Sequence, residues 1–401
     1  MNSLRSSQLS AMLFLSAAFT ILCQTASWTM EGIFGTGIAV AVQFLLCVPI
    51  FLLYRQGFSL SDGDVKHRLL STLLLGYLLV RGGVSFVRLQ RASDALTLPV
   101  SGKFFAAALI ALVCIYTASL GIRALARSST LILGLLLFAL AVLLLGAVPQ
   151  AEPQNLSLST DDTIFRGFLR EMACADELPL LLLLFDQMAH RRVRSTLQFL
   201  AGKLGLFAFL ALLGMAVLGD RMAHSPLPFF STISVSQPFS TQRADALYLV
   251  IFVMLCVLRI TLFTVFAARC LARLLPHLQY ASTICLGGML AISAAAAHFS
   301  ISAVWQIAAM VLFTSLIPLR TAAPTKILGG KIPDDTQAFS SFSPVFLTGA
   351  LLLTGCGATQ VRASWKSIPG SVAVTDERKE SSFSWLCGIP KMSETCGDCH
   401  A

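Results

Sequence analysis

Residues 165–185 read FRGFLREMACADELPLLLLLF: an apolar segment from Phe165 to Met172, an interruption at Ala173-Cys174-Ala175-Asp176-Glu177, and a second apolar segment from Leu178 to Phe185. About 20 apolar residues in helical form cross the roughly 30 Å hydrocarbon layer of a bilayer. Two adjacent carboxylates in the middle of such a crossing cannot face lipid, where each costs on the order of 3 kcal/mol on insertion scales. The stretch therefore reads as one broken membrane span with its carboxylates turned into the protein. Non-helical backbone persists at membrane depth only where surrounding protein or a water-lined cavity satisfies the freed peptide groups.

The same hydropathy recurs on both sides of this stretch. Apolar runs bounded by polar clusters predict ten spans, near 9–26, 36–54, 69–87, 103–121, 130–148, 167–190, 198–218, 245–267, 281–297 and 301–317. Hydrophobic residues make up 56% of the 401 and charged residues 12%, half the roughly 25% charge of an ordinary soluble domain, which excludes that class. Because the runs continue past residue 300, the first is a span rather than a cleaved signal, which a mostly polar chain would follow. The net charge of +9 is scattered over short loops without aromatic interleaving or finger spacing, so no nucleic acid partner is expected. Cys47, Cys114, Cys256, Cys270 and Cys285 lie in or beside apolar runs, where cysteine packs as a small hydrophobe, and no disulfide framework is implied.

With a cytoplasmic N-terminus, the inside segments hold Arg5, Arg55, Lys66, Arg68, Arg123, Arg127, Arg191, Arg192, Arg194, Lys203, Arg269, Arg273, Arg320, Lys326 and Lys331. The opposite loops hold Arg91, Lys103, Arg166, Arg170, Arg221 and Arg243, together with Glu152, Asp161 and Asp162. The excess of basic residues on one side selects that orientation. The loop at 149–163 divides the spans into two blocks of five, and an odd block length makes the second enter the membrane in the opposite sense, as in an inverted repeat. The first helix of each block in such folds is often broken; the sixth span fits, whereas Cys23-Gln24-Thr25 in the first is only mildly polar.

Depth and charge single out the candidate site residues. Arg259 lies about 21 Å from the outer end of its helix at 1.5 Å per residue; it is read as a fixed ion pair, a ligand contact or a side chain snorkelling inward. Arg81, one turn after Tyr77, sits in the middle of the third span, with Glu177 as its expected acidic partner. Glu177 beside Pro179 reads either as an acceptor for a ligand ammonium or as a neighbour of a helix start, where proline is favoured. No nucleophile constellation, Walker motif or zinc signature occurs in the core, which points away from an enzyme and implies no cofactor. The Gly32, Gly35, Gly37 pattern is read as an outer loop leading into a span and lacks the preceding strand of a nucleotide site.

Beyond the core (residues 1–317), a cytoplasmic linker is expected at 318–343. Residues 344–356 form a short hydrophobic segment ending in the lipobox-like Leu353-Thr354-Gly355-Cys356, read either as a lipidation signal or as a weak eleventh membrane segment. Residues 357–401 are a polar, cysteine-containing tail expected to be partly disordered. Its Cys396-Gly397-Asp398-Cys399-His400 matches the c-type haem attachment spacing at a chain end with no enclosing domain; haem, a metal or redox role with Cys387, and chance are the readings.

Tyr116-Thr-Ala-Ser-Leu-Gly121-Ile-Arg-Ala-Leu-Ala-Arg127 and Gln242-Arg243-Ala-Asp245-Ala-Leu-Tyr248, continuing through Arg259, resemble the spore-germination permeases, the B subunits of GerA-type germinant receptors. The resemblance implies an all-α membrane protein of the amino acid, polyamine and organocation (APC, LeuT-like) superfamily. About ten transmembrane helices in a 5+5 inverted repeat would surround a pocket lined by the first, third, sixth and eighth spans. It further implies a sensor of a small nutrient ligand in the spore inner membrane, working with a receptor A subunit and a lipoprotein C subunit. The ligand-binding set expected on this basis is Tyr77, Arg81, Cys174, Ala175, Glu177 and Arg259, with Cys23 and Gln24 from the first span. Family first spans carry glycine where Ile21, Leu22 and Cys23 stand here, so carboxylate recognition by opened backbone is not expected. A secondary transporter of amino acids or polyamines is the alternative, and a scaffold subunit without its own ligand a third reading.

Overall fold

The ten apolar runs fold as helices. The computed structural model describes residues 5–24, 29–55, 65–95, 100–157, 164–187, 192–219, 221–225, 227–236, 245–296 and 303–318; the expected linker, lipobox-like segment and tail from 319 onward lie outside them. In order come α1 (Ser6–Leu22), α2 (Met30–Leu46), α3 (Val48–Arg55), α4 (Val65–Ala95), α5 (Val100–Ala147), α6 (Ile164–Ala173), α7 (Leu181–Leu184), α8 (Arg192–Leu218), α9 (Arg221–His224), α10 (Pro228–Val235), α11 (Asp245–Leu274), α12 (Ala281–Ala296) and α13 (Ala303–Val311). A π-helical turn, Leu312–Leu316, continues α13. Among the described residues there is no strand.

Local chemistry sets several helix ends. Thr29 Oγ1 accepts from Gly32 N at 3.0 Å and caps α2, a hydroxyl in the role that N-caps favour. Pro228 occupies the first turn of α10, where its missing N–H removes no hydrogen bond. Gly121 divides α5 with φ 79° and ψ 174°, a region open essentially to glycine alone. Its two parts, 100–120 and 122–147, are each long enough for one span and correspond to the expected fourth and fifth.

Five helical stretches are long and apolar enough to cross a membrane, the one at Ala106–Gln150 being 45 residues and containing Gly121; Ser6–Leu22, Ala281–Ala296 and Ala303–Leu316 are shorter apolar helices. With α5 counted twice and α6 and α7 taken as the broken sixth span, the ten expected spans are all accounted for. The chain is an all-helical, multi-pass membrane protein.

Packing follows the two-block division. α1 packs on α8, and α6, its counterpart in the second block, packs on α2, the counterpart of α8. α4 packs on α12 while α11 packs on α5, and the α1–α5 contact is matched by α6–α13. α4 and α11, the third spans of the two blocks, pack on each other. Exchanging the blocks returns each of these pairs, as a 5+5 repeat requires. The blocks differ at their first spans: α1 runs unbroken from Ser6 to Leu22, whereas the seven residues 174–180 separate α6 from α7 and include a short run of tight turns up to Leu180.

Close approaches hold α2 against α6. A Cβ on Gly35 would stand 2.1 Å from the Ile164 carbonyl oxygen, and one on Gly167 would stand 2.8 Å from Gly32 Cα. Gly32, Gly35 and Gly37 thus lie inside α2, not in the loop expected from sequence; two of them form a packing surface, as small residues do where membrane helices touch.

Candidate ligand site at the break of the sixth span

The break exposes peptide groups that a continuous helix would satisfy, and α4 supplies partners for them. Tyr77 donates its hydroxyl to the Asp176 carbonyl at 3.3 Å, and Arg81 Nη2 donates to the Ala173 carbonyl at 3.5 Å. At the other end of the broken span, the Tyr54 hydroxyl donates to the Leu182 carbonyl. Leu180, Leu181, Leu182, Leu184 and Phe185 are fully buried, so the second half of this span is enclosed by protein rather than lipid.

Asp176 and Glu177 both point inward and are fully buried. Asp176 Oδ1 lies 2.9 Å from Arg81 Nη1. Its Oδ2 lies 2.6 Å from Arg259 Nη2 and 3.2 Å from Arg88 Nη1. Glu177 pairs with Arg259 Nη1 and accepts from the Ser16 hydroxyl at 3.3 Å. Arg259 also donates to the Ser16 carbonyl at 2.8 Å, the Ser16 hydroxyl at 3.1 Å and the Ser85 hydroxyl at 2.9 Å. Its guanidinium carbon stands 5.1 Å from the Phe263 ring centre and 5.9 Å from that of Phe19, the range of cation–π attraction. Arg259 sits in fixed ion pairs and, being fully buried, does not snorkel.

Other sequence-stated placements shift. Arg81 takes Asp176 rather than Glu177 as its acidic partner, because the turn after Ala173 presents Asp176 toward α4 and Glu177 toward α1 and α11. Arg81 also donates to Gln306 Oε1 at 2.8 Å. Arg88, not singled out from the sequence, reaches Asp176, the Thr20 hydroxyl at 3.3 Å and, at 4.0 Å, the Cys174 sulfur. Ala175 is buried under the turn and Cys174 is half-buried at its edge. Cys23 and Gln24 end α1, both buried; they make no hydrogen bond to the carboxylates, and Gln24 Oε1 has no partner among the described residues.

A second buried pair adjoins the first. Lys203, counted from sequence with the inside-facing residues, lies within α8 at 2% exposure, with Nζ 2.5 Å from Glu171 Oε1. Gln43 Nε2 donates to the same Oε1 at 3.2 Å and to the Glu171 carbonyl at 3.3 Å. The amide of α2 and the ammonium of α8 thus fix the end of α6 just before the break. Among the described residues no cluster of His, Cys, Asp and Glu has the makings of a metal site.

The arrangement defines a class: a multi-pass membrane protein whose buried charges are concentrated at a helix break between its third, sixth and eighth spans. The family model of spore germination proteins, Spore_permease, matches residues 68–302, more than half of the chain and including Arg81, Asp176, Glu177 and Arg259. The chain belongs to that family of permease-like spore germination proteins. None of the curated proteins compared with it matches. Among solved structures, the substrate-bound outward-open state of a Na+-coupled sialic acid symporter is similar at 11% identity, covering 88% of this chain and 79% of that chain with a TM-score of 0.37.

Proposed function

We propose that the protein is the integral membrane subunit of a spore germinant receptor, which senses a small nutrient at the break of the sixth span and helps trigger germination. Family membership supports the setting, the spore inner membrane with an A subunit and a lipoprotein C subunit as partners, and the excess of basic residues on one side supports a cytoplasmic N-terminus. The observation that carries the reading is the arginine-filled centre, in which Arg259 is fully buried and bonded to α1, α4 and the break at once. Removing one partner from such a buried pair costs about 3–5 kcal/mol. A carrier must open this centre to each side in every cycle, whereas a sensor need rearrange it once. A ligand acts by favouring one of two arrangements, to the extent that it binds them with different affinity.

The test is a germination dose response in spores carrying Glu177→Gln or Arg81→Lys, with the variant protein quantified in the membrane. A shift of roughly tenfold in the ligand concentration needed, about 1.4 kcal/mol, is expected once the response is normalised to the amount of variant protein in the membrane. An unchanged dose response in both variants overturns the reading. The transporter alternative predicts net uptake of a labelled amino acid or polyamine into vesicles containing the purified chain.

A further inference from the structure

The centre is not electrically balanced. Arg81, Arg88 and Arg259 face Asp176 and Glu177, while Lys203 and Glu171 pair with each other. Among the described residues the buried cluster therefore carries three cations against two anions. A guanidinium does not shed its proton in proteins, so the imbalance cannot be relieved by deprotonating an arginine. An unmatched charge in a medium of low dielectric is costly and draws in a counter-charge.

The donors that remain free converge in one place. Arg259 and Arg81 are almost completely buried, whereas Arg88 is 15% exposed and is the third and most distant guanidinium on Asp176. Arg88 Nη2 has only the Cys174 sulfur at 4.0 Å. The buried Thr20 hydroxyl accepts from Arg88 Nη1 and donates to nothing among the described residues. Two donor groups, one charged, thus meet at the edge of the break. Just past the end of α1, the Gln24 Oε1 is a buried acceptor without a partner among the described residues.

We propose that Arg88 and Thr20 form the anion-binding end of the ligand site, and that the ligand is a small carboxylate carrying an N–H or O–H group for Gln24. The open acceptor of Gln24 favours such a ligand over chloride, which has nothing to donate. The inference rests on reading the break as the ligand site, but it is tested on the isolated protein and stands or falls apart from germination.

The experiment is thermal unfolding of the purified full chain in detergent, in a bulky sulfonate salt at fixed ionic strength, with added sodium glycolate, which carries a carboxylate and an O–H group, or with sodium chloride or methylammonium. Saturable stabilisation by glycolate beyond that by chloride is expected; a matching response to chloride overturns the assignment to a carboxylate ligand. Arg88→Gln should weaken the glycolate response by about thirtyfold or more and raise the unfolding temperature in sulfonate alone, since it removes the unmatched charge. Arg68→Gln, at an exposed arginine, should keep the response. Stabilisation by methylammonium alone, an Arg88→Gln protein with an intact glycolate response, or one destabilised in every salt overturns the proposal.

Discussion

Arg259 Nη2 lies 2.6 Å from Asp176 Oδ2, both side chains fully buried in the middle of the helical bundle. Asp176 also answers Arg81 and Arg88, so it is the common counter-charge of three guanidiniums. Asp176→Asn keeps the shape and removes the charge, leaving the arginines nearly unopposed. A loss of about 3–5 kcal/mol is expected, read as a large fall in unfolding temperature and in the yield of monodisperse protein from membranes. Stability equal to the unsubstituted protein would show that the carboxylate is not the centre's anion.

Lys203 and Glu171 form a separate test of the same physics. Either Lys203→Met or Glu171→Gln alone strands a charge between α8 and α6 and should destabilise strongly. The double variant removes both charges and retains an acceptor for Gln43, so it should recover most of the loss. A double-mutant cycle measured by thermal unfolding should return a coupling of about 1–3 kcal/mol; strictly additive losses would refute the pairing.

Helix contact between α2 and α6 depends on the absence of side chains. Gly35→Ala drives a methyl group toward the Ile164 carbonyl at 2.1 Å, and Gly167→Ala drives one into Gly32. Both should lower the unfolding temperature and shift the break. Gly37→Ala, with nothing within 4 Å of its added carbon, should be tolerated on the same helix.

Gly121 separates strain from crowding. An added Cβ meets nothing within 4 Å, yet its φ of 79° and ψ of 174° suit glycine alone. Gly121→Ala should therefore cost on the order of 1–3 kcal/mol through the backbone. Gly134→Ala, equally uncrowded but helical, should leave stability unchanged or slightly higher, as helix propensity favours alanine over glycine.

The hydropathy of the chain made the spans legible, and the Ala173 to Glu177 interruption made the sixth one legible as broken, because charge inside an apolar run has few places to go. Arg81 and Arg259 stood out for the same reason. Arg88 did not, although Arg81, Ser85 and Arg88 at intervals of four and three mark a single polar stripe on α4, and Ser16 and Thr20 mark another on α1. Lys203 was lost to the boundary between span and loop: α8 begins at Arg192, which puts Lys203 three turns inside the helix. Asp176 and Glu177 are neighbours in sequence with the same charge, and only the turn geometry decides which arginine each one meets.

Asp176 belongs to the second half of the repeat, Arg81 to the first and Arg259 to the second. One carboxylate therefore acts as a pin through three links, two of them the long helices α4 and α11 that pack on each other across the molecule. Tilting either helix, or rewinding the break, loads the same small group of oxygen atoms.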